Sequence, residues 1–182
     1  SGRRGDEGAT LGPGWAHGFE QRIVEDERTI TLREGQGRQV YFGKIGPGEA
    51  TFHRRERMTL TRQGKDEYRI FAGHERLTYV FSPAQEGGPA VLRAVRDAHD
   101  NAITLEYDGE RLSRVTDTAG REVVVTWKQS RIVRLEVRAE GRLEQWVDYT
   151  YSTSGCLTAV TDALGHVEEY EYDRFKRMIA AV

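Results

Sequence analysis

A polar segment without proline recurs along the second half of the chain, and this repetition limits the possible folds more than any other feature of the sequence. The segment reads LRAVRDAHDNAITLEYD at residues 92–108, LSRVTDTAGREVVVTWK at 112–128 and LTAVTDALGHVEEYEYD at 157–173. Because a unit of about 20 residues cannot bury an apolar face by itself, each unit must pack against its neighbours. The sequence therefore predicts a repeat protein.

Each unit carries the same types of residue at nearly constant offsets. An aliphatic residue begins the unit, a second follows three positions later, an aspartate comes two positions after that, and an aromatic residue ten positions further on. The first residues of the units are Leu92, Leu112, Ile132, Leu157 and Ile179. The second aliphatic residues are Val95, Val115, Leu135, Val160 and Val182. The aspartates are Asp97, Asp117 and Asp162, and the aromatic residues are Tyr107, Trp127 and Tyr172.

A glycine three residues after the aspartate completes the pattern Asp-x-x-Gly. Gly120 and Gly165 occupy this position in two units, while the first unit has Asp100 and Asn101 there. Glycine, asparagine and aspartate all tolerate the left-handed backbone of a tight turn. We therefore interpret each unit as a strand, a tight turn, a second strand that ends in the aromatic residue, and a second turn.

The two aliphatic residues of a unit are three positions apart, which does not place them on one face of a regular strand, since side chains alternate with a period of two. Either a β-bulge lies between them or both faces of the sheet carry apolar residues. Elsewhere the alternation is more regular, because Val123, Val125 and Trp127 share one face while Glu122 and Thr126 share the other. These strands predict a thin sheet with one polar face.

The first half of the chain also consists of short alternating segments, rich in Thr, Val, Tyr and Ile, with glycines between several of them. No window predicts an amphipathic helix. We therefore predict an all-β fold built as an array of antiparallel β-hairpins. The segments are residues 28–34, 38–44, 57–63, 67–73 and 76–82.

The composition changes near Pro89. All four prolines fall at or before that residue, and 15 of the 20 glycines precede residue 90. We divide the chain into a flexible or extended N-terminal segment at 1–14, irregular β-hairpins at 15–89, and a repeat array at 90–182 that ends within a repeat.

The charge balance and the single cysteine restrict the kinds of partner and site. With 27 Lys and Arg against 29 Asp and Glu, the formal net charge is −2, which argues against nucleic acid or an anionic membrane as the main partner. No apolar run approaches the roughly 20 residues that span a bilayer. Cys156 alone can form neither an internal disulfide nor a multi-thiolate zinc site.

No residues in the sequence have the spacing of a catalytic or metal site. The five histidines are scattered, and Cys156 has no neighbouring His or Lys in the sequence that would activate it. The repeated aspartates could bind calcium, but we expect their carboxylates to accept turn N–H bonds instead. A basic run at residues 53–62 is more typical of a solvated strand face than of a phosphate site. We therefore expect no enzyme, cofactor or metal.

Two of the repeated segments resemble the YD repeat of bacterial Rhs proteins and animal teneurins. They are YDGERLSRVTDTAGREVVVTW at 107–127 and TSGCLTAVTDALGHVEEYEYD at 153–173. Upstream, GPGWAHGFEQRI at 12–23, which contains Gly14, Trp15 and His17, resembles the start of the repeat region in bacterial Rhs proteins. The unit from Ile132 to Tyr151 departs from the repeat, because it is longer and lacks the turn aspartate.

The resemblance implies that the hairpins form part of a curved, spiralling β-sheet shell that encloses a C-terminal toxin. The expected function is that of a non-catalytic shell segment of an Rhs-type toxin, made in the bacterial cytoplasm and exported or delivered in interbacterial competition. Its partners would be the rest of its own shell, the enclosed toxin domain and secretion-apparatus or chaperone proteins. The alternative, which the teneurin resemblance allows, is a YD-repeat scaffold for adhesion or glycan recognition at a cell surface.

Overall fold

The computed structural model describes residues 9–181, and it contains β-strands joined by turns, with no helix in that range. Every strand pairing is antiparallel. The all-β prediction is therefore confirmed. The strands are β1 Arg22–Glu25, β2 Thr29–Arg33, β3 Gln39–Gly43, β4 Ala50–His53, β5 Met58–Arg62, β6 Tyr68–Ala72, β7 Leu77–Pro83, β8 Ala90–Arg96, β9 Ala102–Asp108, β10 Arg111–Thr116, β11 Glu122–Lys128, β12 Arg131–Ala139, β13 Arg142–Tyr151, β14 Leu157–Asp162, β15 Val167–Tyr172 and β16 Met178–Ala181.

The chain divides into two compact units. The first, which we call the core unit, is Gly18–Ala119. The second, the array unit, combines Gly120–Val182 with the N-terminal residues Ser1–His17, of which residues 1–8 and 182 lie outside the described range. This division follows contacts, whereas the boundaries at residues 14 and 89 follow composition and stay a prediction about sequence character.

The core unit contains β1–β10, and two of its strands, β3 and β6, show a strict alternation of buried and exposed side chains. In β6, Tyr68, Ile70 and Ala72 are buried while the residues between them are exposed. In β3, Val40 and Phe42 are buried in the same way. The segments predicted as strands at 28–34 and 38–44 contain β2 and β3, which pair as a hairpin, and those at 57–63, 67–73 and 76–82 contain β5, β6 and most of β7.

The core unit has two layers, because β1–β3 lie over strands of the β4–β8 sheet. β1 pairs with β2 and also with the beginning of β8, where Ile23 faces Ala90. The side chains of β1–β3 then contact β4–β6 at several points, including a ring contact of 5.7 Å between Phe42 and His53. A buried interior therefore lies between the layers, which the expectation of a thin sheet did not include.

Glu25 at the end of β1 joins the two layers through a polar cluster. Its carboxylate accepts hydrogen bonds from Tyr68 Oη at 2.6 Å and Arg62 Nη1 at 3.1 Å, and it forms an ion pair with Lys44 at 3.1 Å. Desolvation raises the pKa of Glu25, but the bonds from Tyr68 and Lys44 and the nearby charges outweigh it and hold the pKa below its usual value. The carboxylate is therefore ionised when it bridges the layers.

The array unit contains β11–β16, in which each strand pairs with the next along the chain. The departing repeat corresponds to β12 and β13, which have 9 and 10 residues and are joined by the two-residue turn Glu140-Gly141. Its extra length therefore extends a hairpin instead of adding a loop.

Candidate functional site

The aspartates of the repeat form a recurring turn. Asp97 Oδ1 accepts N–H bonds from His99 at 2.7 Å and Asn101 at 3.0 Å, so one carboxylate oxygen serves the second and fourth residues after it. Asp162 Oδ1 does the same with Leu164 and His166, both at 2.9 Å. These bonds are the ones expected if the carboxylates serve as acceptors for turn N–H groups.

The fourth residue after the aspartate also contacts it through its side chain, so both carboxylate oxygens have a partner. Asn101 Nδ2 reaches Asp97 Oδ2 at 2.8 Å, and His166 Nδ1 lies 3.1 Å from Asp162 Oδ2. The side-chain bond from Asn101 is the largest cause that lowers the pKa of Asp97. The ionised form of the turn aspartate is therefore the one that the fold stabilises.

The third residue after the aspartate has a left-handed backbone. Its φ is +78° at Gly120 and +83° at Gly165, and it is +63° at Asp100 in the unit that lacks glycine. A left-handed φ favours glycine over residues with a Cβ atom, which accounts for the Asp-x-x-Gly pattern. Asp117 accepts an N–H bond from Ala119 at 2.9 Å, as the first contact of the same turn requires.

Two turns of this kind were missed by sequence reasoning. Asp173 accepts N–H bonds from Phe175 at 2.8 Å and Arg177 at 3.0 Å, with Lys176 at φ +60° in the glycine position. Ser152 replaces the aspartate in another turn, where its Oγ accepts the N–H of Cys156 at 3.2 Å. The Tyr-Asp pair at 172–173 was the sequence signal for the first of these turns. It did not match the Asp-x-x-Gly pattern because Lys176 takes the place of the glycine.

A β-bulge explains the three-residue spacing of the aliphatic pair. In β10, Leu112 faces Tyr107 and Arg114 faces Glu106, so Ser113 is an extra residue on that strand. The extra residue returns Leu112 and Val115 to one face, and both are only 7% exposed. Of the two interpretations of the spacing, the bulge is therefore correct here.

The bulge recurs after the first aliphatic residue of every unit. Register shifts leave Arg93, Val133 and Thr158 as the extra residues in β8, β12 and β14. The residues that precede them, Leu92, Ile132 and Leu157, are 0–2% exposed. The second aliphatic residues Val95, Leu135 and Val160 are half-buried, as are the aromatic residues Tyr107, Trp127 and Tyr172.

The last unit begins one residue earlier than the sequence indicated. Met178, and not Ile179, faces Tyr172 in the ladder of β15 and β16, so Ile179 takes the bulge position and is 64% exposed. The prediction that Ile179 is the first residue was therefore wrong. Sequence spacing alone does not indicate which of two adjacent apolar residues pairs with the aromatic one. Val182, its expected partner, lies outside the described residues.

Tyrosine hydroxyls bridge neighbouring strands beside the bulge. Tyr107 Oη donates to the carbonyl of Leu92 at 2.9 Å, and Tyr151 Oη donates to the carbonyl of Ile132 at 2.6 Å. In the register of β8 and β9 the last pair is Ala94 with Thr104, so the Leu92 carbonyl lies beyond that ladder. Burial raises the pKa of Tyr107 to about 12, which keeps its hydroxyl protonated as a donor. The tyrosine thus satisfies a carbonyl that the strand pairing leaves over.

Residues 9–17, which we call the strap, lie against the array unit. Arg131 Nη1 donates to the Ala9 carbonyl at 2.7 Å, and the Ile132 N–H donates to the Thr10 carbonyl at 3.0 Å. Leu11 is buried. The N-terminal segment predicted at 1–14 is thus in contact with the repeats over residues 9–14, while its first eight residues are outside the described range.

Trp15 connects the strap with a residue 157 positions along the chain, because its Nε1 donates to Tyr172 Oη at 2.8 Å. The indole ring also meets Tyr170 edge to face, with ring centroids 4.9 Å apart. Gly12 has φ +94° and lies so close to the Gly155 carbonyl oxygen that a Cβ atom would be 2.8 Å from it. Close approach and left-handed backbone both require glycine at position 12.

The remaining residues of the Gly-Trp-x-His stretch have different surroundings. Gly14 is exposed with φ +80°, and His17 is half-buried. Burial lowers the pKa of His17, since desolvation disfavours the imidazolium ion. Burial thus favours the neutral form of this imidazole.

The same N-terminal region repeats the strap contact inside the core unit. The Leu92 N–H donates to the Gln21 carbonyl at 3.2 Å, just as the Ile132 N–H donates to the Thr10 carbonyl. Leu92 and Ile132 occupy the same position in their repeats. In each unit, a carbonyl from residues 9–23 therefore accepts a hydrogen bond from the N–H of the first aliphatic residue of a repeat.

The array unit also contains a groove of about 370 Å³, lined by polar and aromatic side chains, between the turns that begin at Ser152 and Asp173. Tyr170 and Tyr172 lie on one side of it, and the Lys176 Nζ donates to the Ser154 carbonyl at 3.2 Å across it. The groove offers hydroxyl groups and aromatic rings to a small polar ligand. Its lining is Ser152, Ser154, Cys156, Thr158, Tyr170, Tyr172, Asp173, Arg174 and Lys176.

The described residues form neither a metal cluster nor a membrane-spanning helix. No three His, Cys, Asp or Glu side chains within residues 9–181 come together as a candidate metal site. The same range holds no helix with the length and hydropathy to cross a bilayer.

Comparison with known proteins connects this chain with bacterial toxins. Residues 1–42 match a family described as a domain of unknown function (DUF6531). In an alignment of 167 positions that covers 89% of the chain, it is 28% identical to double-stranded DNA deaminase toxin A of Burkholderia cenocepacia (strain H111). The chain spans 12% of the length of that relative.

Proposed function

We propose that the chain is a non-catalytic shell segment of an Rhs-type toxin, which encloses a C-terminal toxic cargo for delivery in interbacterial competition. The observation that carries the proposal is the repeated hairpin, in which bulge, aspartate turn and tyrosine bond recur at matching positions. Such units extend a sheet by adding neighbours, since each strand covers the open edge of the one before. The matched domain is found in Rhs-like and YD-repeat-like toxins, which supports the assignment.

The similarity to a deaminase toxin fits a container better than it fits an active site. The aligned region is 12% of the length of that relative, and in the present chain this region consists of the strands and turns described above. In this proposal the chemistry named for the relative belongs to another part of the toxin, and the partners of the present chain are the rest of the shell and the enclosed domain.

The proposal is tested on the full-length protein encoded by the parent gene, by limited trypsin digestion followed by mass spectrometry. We expect further YD units downstream and a C-terminal domain that resists trypsin in the wild type. Leu157→Asp, which places a carboxylate at a site that is 1% exposed, should expose that domain to digestion. The matched control is Leu164→Asp, at a site 81% exposed. A C-terminal domain digested equally fast in all three proteins, or no such domain, would contradict the proposal.

A second function, glycan recognition at a surface, is favoured by the groove between the turns at Ser152 and Asp173. Aromatic rings beside hydroxyl groups suit a sugar ring, which presents both apolar C–H faces and hydroxyls. A glycan array probed with the 182-residue chain distinguishes the two functions. Binding that is lost in Tyr170→Ala and kept in Tyr41→Ala would favour recognition, and an array without binding would leave the shell proposal as the better one.

A further inference from the structure

The basic run at residues 53–62 forms part of a surface at one end of the core unit. Residues 54–57 make the turn between β4 and β5, and residues 73–76 make the turn between β6 and β7. The two turns are adjacent, because Met58 faces Ala72 in the ladder and the Gly73 N–H donates to the Arg57 carbonyl at 3.0 Å. The basic residues of both turns therefore share one end of the sheet.

Four arginines on these turns are exposed, and none has a carboxylate partner among the described residues 9–181. The nearby carboxylates are already engaged, since Glu56 pairs with Arg38, while Glu75 accepts from Tyr79 Oη and lies 3.2 Å from His74 Nε2. The two turns carry four arginines against the two glutamates Glu56 and Glu75, so positive charge is in excess there. The four arginines are Arg54, Arg55, Arg57 and Arg76.

Two phenylalanines lie on the outer face of the sheet beside these turns. Phe52 is 59% exposed and Phe71 is 45% exposed, which is unusual for large apolar side chains next to a well-formed interior. Both face Thr59 in the register, Phe52 from β4 and Phe71 from β6, so the three residues form one row across the sheet. The exposed arginines and this row make up what we call the Arg-Phe surface.

We propose that the Arg-Phe surface binds an acidic segment of a protein partner that also carries apolar side chains. Arginine and aromatic residues are enriched in protein interfaces, where they supply much of the binding energy. The unpaired guanidinium groups would meet carboxylates, and the phenyl rings would cover aliphatic or aromatic side chains between them. This surface is independent of the proposed enclosing role, since a shell segment needs no such partner.

The charges around the surface favour a protein partner over nucleic acid. Glu34, Glu56 and Glu75 lie at the same end of the core unit, where they would oppose a phosphate backbone. The whole chain carries a net charge of −2, whereas nucleic-acid surfaces are usually part of basic domains. Individual carboxylates of a peptide can be placed away from these glutamates, which the regular charge of a nucleic acid cannot.

The test is fluorescence anisotropy with the 182-residue chain and two labelled probes. One is a peptide of roughly twelve residues that alternates glutamate and leucine, and the other is an oligo-dT of similar length. We expect R54Q/R55Q to weaken peptide binding by about tenfold, a typical effect of losing an interface arginine. The matched control R28Q/R142Q removes two exposed arginines elsewhere and should change the affinity by less than about twofold.

A second variant, Phe71→Ser, separates the apolar part of the surface from its charge. It should weaken peptide binding by several-fold while leaving the dependence on salt as in the wild type, because the arginines remain. Thermal unfolding of each variant verifies that the fold is kept. The proposal is overturned if the wild type does not bind the peptide, if R54Q/R55Q binds it as well as the control does, or if oligo-dT binds at least as tightly as the peptide.

Discussion

The two units of this chain bury their side chains differently. In the described part of the array unit, the buried apolar side chains are Leu11, Pro13, Val125, Ile132, Cys156 and Leu157, of which the first two belong to the strap. The core unit holds all the other buried apolar residues, including Leu60 and Ile70 at 0–1% exposure. One unit has an interior between two layers, while the other is a row of hairpins with little interior of its own.

The difference shows what the N-terminal residues contribute. In the core unit, β1–β3 supply a second layer that covers the sheet. In the array unit, nine residues of strap provide cover for a much smaller buried set. We infer that the core unit is stabilised mainly by burial of apolar area and the array unit mainly by local bonds and the strap.

The largest effect is expected from truncating the interior of the core unit. Leu60→Ala removes a side chain that is 0% exposed, and should lower the free energy of unfolding by about 2–5 kcal/mol because a cavity remains. Chemical denaturation monitored by circular dichroism measures the change. Leu143→Ala, at a site 48% exposed, serves as the control and should change it by less than about 0.5 kcal/mol.

The next effect is expected from removing the strap contact. Trp15→Ala abolishes the bond to Tyr172 and the ring contact with Tyr170, and should destabilise the array unit by about 2 kcal/mol, less than a fully buried tryptophan would. Cys156, which is 3% exposed, should then react faster with a thiol reagent. Hydrogen exchange should show no change in β5 and β6. Equal loss of protection in the core unit would break the comparison.

A smaller effect is expected from the tyrosine bonds, and it should be the same in both units. Tyr151→Phe in the array unit and Tyr107→Phe in the core unit each remove one hydroxyl donor to a strand carbonyl. Each should cost about 1 kcal/mol, measured by denaturant unfolding. Tyr41→Phe removes a hydroxyl from an exposed side chain and should leave the free energy of unfolding nearly unchanged. A large difference between the first two variants would show that the repeats are not equivalent.

The smallest effect is expected from protonation of His17 in the strap. Because burial lowers the pKa of His17 in the folded state, its contribution to stability is complete above the unfolded value of 6.5 and declines as the pH falls below it. The unfolding midpoint of the array unit should therefore drop as the pH falls below 6.5. His17→Gln should flatten that part of the profile. Asp97 and Asp173, whose pKa values are lowered, should add a further loss only below about pH 4.

The hairpins and turns could be predicted from the sequence because their causes are local. A left-handed residue after an aspartate and a period of two along a strand are both set by adjacent residues, so the turns at Gly120 and Gly165 follow from the pattern. The bulge could be named only as one of two possibilities, since the spacing of Leu112 and Val115 is compatible with either. The one-residue error at Ile179 has the same origin.

The layers and the strap could not be predicted, because their contacts join distant parts of the chain. Nothing near Ile23 indicates that it faces Ala90, and nothing near Trp15 identifies Tyr172 as its partner. The Gly-Trp-x-His stretch could be recognised as unusual, but its role depends on a repeat that lies far along the sequence. The exposure of Phe52 and Phe71 is likewise set by which face the second layer covers.

The span of the strap has a consequence for the order of events during synthesis. The bond from Trp15 to Tyr172 joins residues 157 positions apart, and that from Arg131 to Ala9 joins residues 122 positions apart. A ribosome releases the N-terminus first, so the strap must wait without its partners while the core unit and five further strands emerge. Closing so long a loop is slow, and the strap should therefore be among the last contacts to form.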